Sequence, residues 1–186
     1  QRLGNTRGLA ECFHNMAITI RDLGRLQEAD ELEQRSAEFA RDAEQPLLVS
    51  IARLGRAELA LRRGDASFAE ATARRAATEF AAAGDAVREG EAQRLAGVAC
   101  TVTGKHREAL ELLDFAVERA RQHGAVFHEA EALRSRAELH AAAGAPMSAL
   151  DDARAALGLF GQLRANDERA ALLRWIDGLS LESGQG

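Results

Sequence analysis

The sequence predicts an all-α chain folded as a solenoid of stacked helix pairs, and three observations carry that expectation. Ala supplies 40 of the 186 residues, Ile, Val and Thr together supply 16, and Tyr is absent. That balance favours helices and comes close to excluding a sheet. Gly recurs at 24, 64, 104 and 144, each followed five residues later by Ala: Ala29, Ala69, Ala109 and Ala149. Small residues also stand seven before each Gly (Ala17, Ala57, Gly97, Ala137) and twelve after it (Ser36, Ala76, Ala116, Ala156). Four columns in register, with no insertion, establish a forty-residue repeat. A unit of this size buries its apolar face only by stacking on neighbours.

Each unit reads as two helices. The first runs from Gly8 to Leu23, turns at Gly24, and continues from Arg25 to about Asp42. Gly24 suits the left-handed residue that ends a helix, where a Cβ would be penalised. The second unit turns at Gly64-Asp65, with Asp65 placed to cap the next helix. The fourth turns at Gly144-Ala145-Pro146, Gly after one helix and Pro opening the next. Between units the breaks are Gly84-Asp85, Gly124 and a capping Asn166, and Gly4-Asn5 reads as one more such junction. Four repeats therefore span 5–163, a capping helix spans 166–180, and 181–186 read as a flexible tail. Gly184 keeps the spacing from Gly144, and the chain opens on Gln1, which together suggest a segment of a longer array.

The small columns predict where the paired helices approach closely, so Gly97→Leu or Ala109→Leu should cost about 1–3 kcal/mol through overpacking. Leu172, Trp175, Ile176 and Leu179 follow helical spacing and are expected to seal the end of the fourth repeat. Leu173, Leu181 and any exposed surface of Trp175 form the alternative, a homodimer contact.

Composition narrows the function. Net charge is −5, and no block of forty residues is a basic module, which argues against a nucleic-acid partner. The 23 Arg against the single Lys105 reflect coding composition more than anion chemistry. No apolar run approaches membrane-spanning length, so no membrane partner is expected. Cys12 and Cys100 are too few for a disulfide framework, which suggests a reducing cytoplasmic setting with both as small core residues. His123, His128 and His140 lack a ligand spacing with any carboxylate or thiol, so no metal is expected. The Gly residues punctuate turns and cradle no phosphate, and no closed pocket for an acid–base pair is evident. The expectation is a non-enzyme without cofactors.

The pieces Asn15-Met16-Ala17 to Gly24-x4-Ala29, Gly64-x4-Ala69, Gly104-x4-Ala109 and Gly144-x4-Ala149 resemble the tetratricopeptide repeat over residues 5–163. The period of 40 departs from the usual 34. The family's bulky columns drift here, as in Phe13, Arg53, Gln93, Leu133 or Glu33, Ala73, Leu113, Ala153. Uninterrupted forty-residue arrays look like those of bacterial signalling regulators and some eukaryotic polarity scaffolds. The resemblance implies a right-handed solenoid that binds proteins or peptides in a concave groove lined by the first helix of each pair. Of the Lys and Asn residues that form the family's dicarboxylate clamp, only Asn15 has a counterpart in type.

Three before, one after and four after the first small column define the expected groove face. These positions hold His14, Ile18 and Arg21; Leu54, Glu58 and Leu61; Arg94, Val98 and Thr101; and Arg134, Glu138 and Ala141. Arg94, Arg134 and Arg174 would stack as a ladder, with Glu91 and Glu131 three residues before the first two. This is either a site for an acidic peptide or C-terminal carboxylate, or a solvated face laced by intrahelical pairs. The small worth of exposed pairs favours the second. Taken together, the sequence predicts a protein- or peptide-binding scaffold from a larger bacterial protein. The alternative is a ligand-sensing segment of a multidomain transcriptional or signalling regulator.

Overall fold

The structure, a computed structural model, describes the backbone of residues 2–183 and the side chains of residues 6–179. Helices α1 (Arg2–Asp22), α2 (Leu26–Asp42), α3 (Pro46–Arg62) and α4 (Ala66–Ala83) form the first two pairs. Helices α5 (Ala86–Val102), α6 (His106–Gln122), α7 (Val126–Ala142) and α8 (Pro146–Leu163) form the next two, and α9 (Asn166–Ser183) follows. There is no strand among the described residues.

Eight turns join the helices, and all eight close in the same way. A backbone N–H donates to the carbonyl five residues earlier, from Arg25 to Ile20 through Ala165 to Phe160, at 2.8–3.1 Å. This is the Schellman bond, and it requires a left-handed residue just before the donor. That residue falls every twenty positions, so the forty-residue sequence repeat conceals a twenty-residue structural one. Six of the eight are Gly; the other two are Glu44 (φ 54°) and Arg164 (φ 56°). Asp65 accepts from the Phe68 N–H at 3.1 Å, the cap its position predicts, and Asp85 does the same for Arg88. Pro46 and Pro146 open α3 and α8.

Both ends depart from expectation. Gly4-Asn5 lies inside α1 and forms no junction, since neither residue is followed by a Pro or a left-handed residue that would stop the helix. At the other end α9 continues through Leu181 and Glu182 to Ser183, where a tail was expected. Both are good helix formers, and no Gly interrupts them until 184. Asn166, expected as a cap, is the first residue of α9 itself.

The core is built from methyl groups. Ala17, Ala57 and Ala137, together with Ala29, Ala69, Ala109 and Ala149, are all within 1% of complete burial. Helices that meet through such small surfaces lie close together, and a few large side chains fill what remains: Leu59, Phe80, Leu113, Leu139 and Phe160. At the C-terminal end Leu172, with Trp175 and Ile176, packs on the cluster around Phe160, closing the fourth repeat as the spacing predicts. Cys100 belongs to the core, but Cys12 is exposed on α1, contrary to expectation.

Every helix packs on the next. The odd-numbered helices also pack on one another, α1 on α3, α3 on α5 and α5 on α7, and no even-numbered pair approaches as closely. A stack drawn together along one row of helices curves toward that row. The odd helices therefore line the concave face and the even helices splay on the convex one.

Candidate functional site

The positions expected to form a groove face lie on the odd-numbered helices α1, α3, α5 and α7. His14, Ile18, Arg21, Leu54, Glu58, Leu61, Val98, Thr101, Arg134, Glu138 and Ala141 are all partly exposed, as a shared groove surface requires. Arg94 alone is buried, at 9% exposure.

Charge links these residues along the groove. Arg21 on α1 pairs with Glu58 on α3, and Arg62 reaches the same carboxylate at 3.1 Å. On α5, Arg94 pairs with Glu91 at 2.7 Å, approaches Glu131 of α7 at 3.9 Å, and donates to Ser135 Oγ at 3.2 Å. Arg134 pairs with Glu131 at 2.8 Å and lies 3.9 Å from Glu138. Burial alone would lower the Arg94 pKa, but Glu91, Glu131 and the more distant Glu58 outweigh it and hold the guanidinium charged. Glu138 keeps 44% of its side chain exposed. The surrounding groove wall still pushes its carboxyl above the ordinary range, against the pull of Arg134 and Arg94.

The geometry revises the expected ladder. Arg94 and Arg134 do converge, but on Glu131, so each arrives already paired. Arg94 is a tie between α5 and α7, with its donors directed at protein groups. Arg174, exposed on α9, makes no ion pair among the described residues and does not extend the row. The exposed members of the face are those with room for a partner.

One connection escaped the sequence. Glu33, at a column the family fills with bulky residues, is 2% exposed and lies 3.0 and 3.1 Å from His14 Nδ1 through its two oxygens. Burial pushes its carboxyl up, and the contact with His14 offsets this only in part. Gly55 makes the room, since a Cβ there would collide with Glu33 Oε1. The one trace of it in the sequence is Glu33 itself, a charged residue in a column that otherwise holds Ala73, Leu113 and Ala153.

Of the expected dimer residues, Leu173 is 43% exposed, Trp175 is half-buried against the end cluster, and the Leu181 side chain lies outside the described residues. His140 lies 3.6 Å from Asp152, and His128 meets Phe127 edge-on. One cluster has a metal-like arrangement: Glu70, Cys100 and Glu108 bring ligand atoms within 4.8 Å of one another. Its charge is already met, because Lys105 binds Glu70 at 2.8 Å and Arg74 pairs with both carboxylates. No helix among the described residues is long and apolar enough to cross a membrane.

This architecture is that of a tetratricopeptide-type helical repeat protein. No family model and no curated protein matches the sequence. Among solved structures, the chain is similar to a Rap protein complexed with Competence and Sporulation Factor, with a TM-score of 0.85 at 15% identity over 93% of this chain and 48% of that one. It thus spans about half the length of the Rap protein. A putative kinesin light chain from Podosopora anserina, made of nearly identical TPR-like repeats, matches with a TM-score of 0.66 at 14% identity, over 97% of this chain and 98% of that one.

Proposed function

We propose that the chain is a non-enzymatic interaction module whose concave face receives a protein or peptide. The observation that carries this reading is the half-exposed surface running from Arg21 and Glu58 to Arg134 and Glu138, interleaved with Ile18, Leu54, Leu61, Val98 and Thr101. Apolar and charged groups held on packed helices need little ordering on binding, so less of the contact energy is lost. The similarity to a Rap protein solved with a bound factor supports the same reading. It also supports the finer one, a ligand-sensing segment of a larger bacterial regulator. Two free cysteines fit a reducing, cytoplasmic setting.

A photoreactive amino acid at Thr101, in the groove, tests the proposal against one at Glu118, exposed on α6. The Thr101 probe should crosslink a discrete partner that the Glu118 probe does not. Capture only from Glu118 would contradict the groove assignment.

A further inference from the structure

The convex side carries a feature that the repeat does not require. Between α2 and α4, over the exposed flank of α3, lie two hollows of about 810 and 370 Å³ that share Arg41, Val49, Arg53 and Arg75 and so form one cleft. It runs along α4 from Phe68 to Ala83, which at about 1.5 Å per residue is roughly 22 Å. Its lining includes the apolar residues Ala37, Val49, Ala71 and Ala82, and an exposed large apolar residue marks each end: Leu47 (39% exposed) and Phe68 (38%).

The charge of the cleft is one-sided. Arg41, Arg53, Arg56 and Arg75 line it against Glu44 and Glu79. Arg53 and Arg75 share Glu79. Arg56 is held by Asp30 at 2.8 Å and lies over the Phe68 ring at 5.4 Å. The Arg41 guanidinium makes no ion pair or hydrogen bond among the described residues. Burial lowers the Arg53 pKa, and the fields of Arg75 and Arg41 lower it further against Glu79. Cationic charge is therefore in local surplus.

The repeat supplies its own control. Forty residues on, the positions of Arg41, Arg53, Arg56 and Arg75 hold Ala81, Gln93, Ala96 and Phe115, and the position of Phe68 holds Glu108. The next groove along the convex face folds without the arginines, so stacking does not demand them. Residues 41–80 are also the only block of forty with a net positive charge.

We propose that this cleft is a second binding site, on the face opposite the groove, for a short acidic peptide segment bearing aliphatic side chains. Arg41, whose side chain has no partner among the described residues, and Arg75, 70% exposed beyond its contact with Glu79, offer guanidinium donors to carboxylates at separate points of the cleft, and the apolar lining and ends match aliphatic side chains between them. The length favours an extended segment of about seven residues at roughly 3.3 Å each. A compact monocarboxylate would meet only one of the arginines. Glu44 and Glu79 in the lining, within a chain of net charge −5, oppose a phosphate polymer.

The test is fluorescence anisotropy on the full chain with a labelled heptapeptide of alternating glutamate and leucine. The peptide should bind, weaken with salt, and lose about tenfold or more in affinity in the Arg41→Gln, Arg75→Gln double variant. Both arginines are exposed, so the thermal melt of that variant should match the wild type. An Arg134→Gln variant, altered only in the concave groove, should bind the peptide normally. Several results would overturn the proposal: no binding, equal binding of a lysine–leucine heptapeptide, undiminished binding by the double variant, or loss in Arg134→Gln. Displacement of the peptide by free decanoate at comparable concentration would overturn the peptide as occupant.

Discussion

Gly97 and Leu113 are fitted to each other: a Cβ on Gly97 would stand 2.8 Å from Leu113 Cγ and 3.0 Å from its Cδ2. The same two columns hold Ala57 with Ala73 and Ala137 with Ala153, all fully buried. The third repeat has moved bulk from one helix to the other while keeping the close approach. Gly97→Ala should therefore destabilise by about 1 kcal/mol, overpacking outweighing the gain in helix propensity. Leu113→Ala alone should cost about 2–5 kcal/mol by leaving a cavity. The double variant recreates the neighbouring Ala–Ala pair and should lose at least about 1 kcal/mol less than the sum. Urea titration of the four proteins checks the coupling, and strict additivity would mean the two side chains do not compete for space.

Arg164 occupies a left-handed turn position at φ 56°, where six of the eight equivalent turns have Gly. An L side chain there costs about 1–2 kcal/mol, of which the larger unfolded-state entropy of Gly takes back part. Arg164→Gly should stabilise by about 0.5–1 kcal/mol, read as a rise in the urea midpoint with unchanged slope. A fall would show that the Arg164 side chain contributes more than its backbone costs.

Glu33 links pH to stability. Burial raises its carboxyl above the ordinary 4.5, so the fold favours its protonated form. That contribution is complete below 4.5 and is lost as pH rises through the elevated value. Between about pH 4.5 and neutrality, the wild type should lose stability relative to Glu33→Gln, which cannot ionise. Parallel melting curves for the two proteins across that range would contradict the assignment.

Arg136 joins three helices. Its guanidinium binds Asp152 of α8 through two bonds of 2.7 Å and Asp114 of α6 at 2.6 Å. These carboxylates hold it charged beyond its already high ordinary value. Arg136→Ala should cost about 1–3 kcal/mol, because it leaves the mostly buried Asp152 without its bidentate partner. Asp152→Asn on that background should recover part of the loss, measured by the same urea titration.

The fold was legible because it is written in small residues. Ala29, Ala69, Ala109 and Ala149 recur without insertion, and close helix packing tolerates nothing larger there. The second set of turns was harder to read, since Glu44 and Arg164 occupy backbone positions that elsewhere announce themselves as Gly. The expected groove positions came from periodicity, and the same spacing gave the intrahelical pairs Arg94–Glu91 and Arg134–Glu131, but not the tie from Arg94 across to α7. Whether Arg94 points to solvent or to Glu131 and Ser135 depends on how far apart α5 and α7 lie, a distance that no single-helix pattern contains. The convex cleft was fainter still. Its arginines come from three helices and share no period, and only the small positive charge of residues 41–80 hinted at them.

The most direct test of the central claim is hydrogen exchange on the chain alone and in complex with the partner captured through Thr101. The account predicts new protection on α3, α5 and α7 around Leu54–Leu61, Arg94–Thr101 and Arg134–Ala141, with the even helices unchanged. Protection confined to the even helices, with those three segments exchanging as in the free chain, would contradict it.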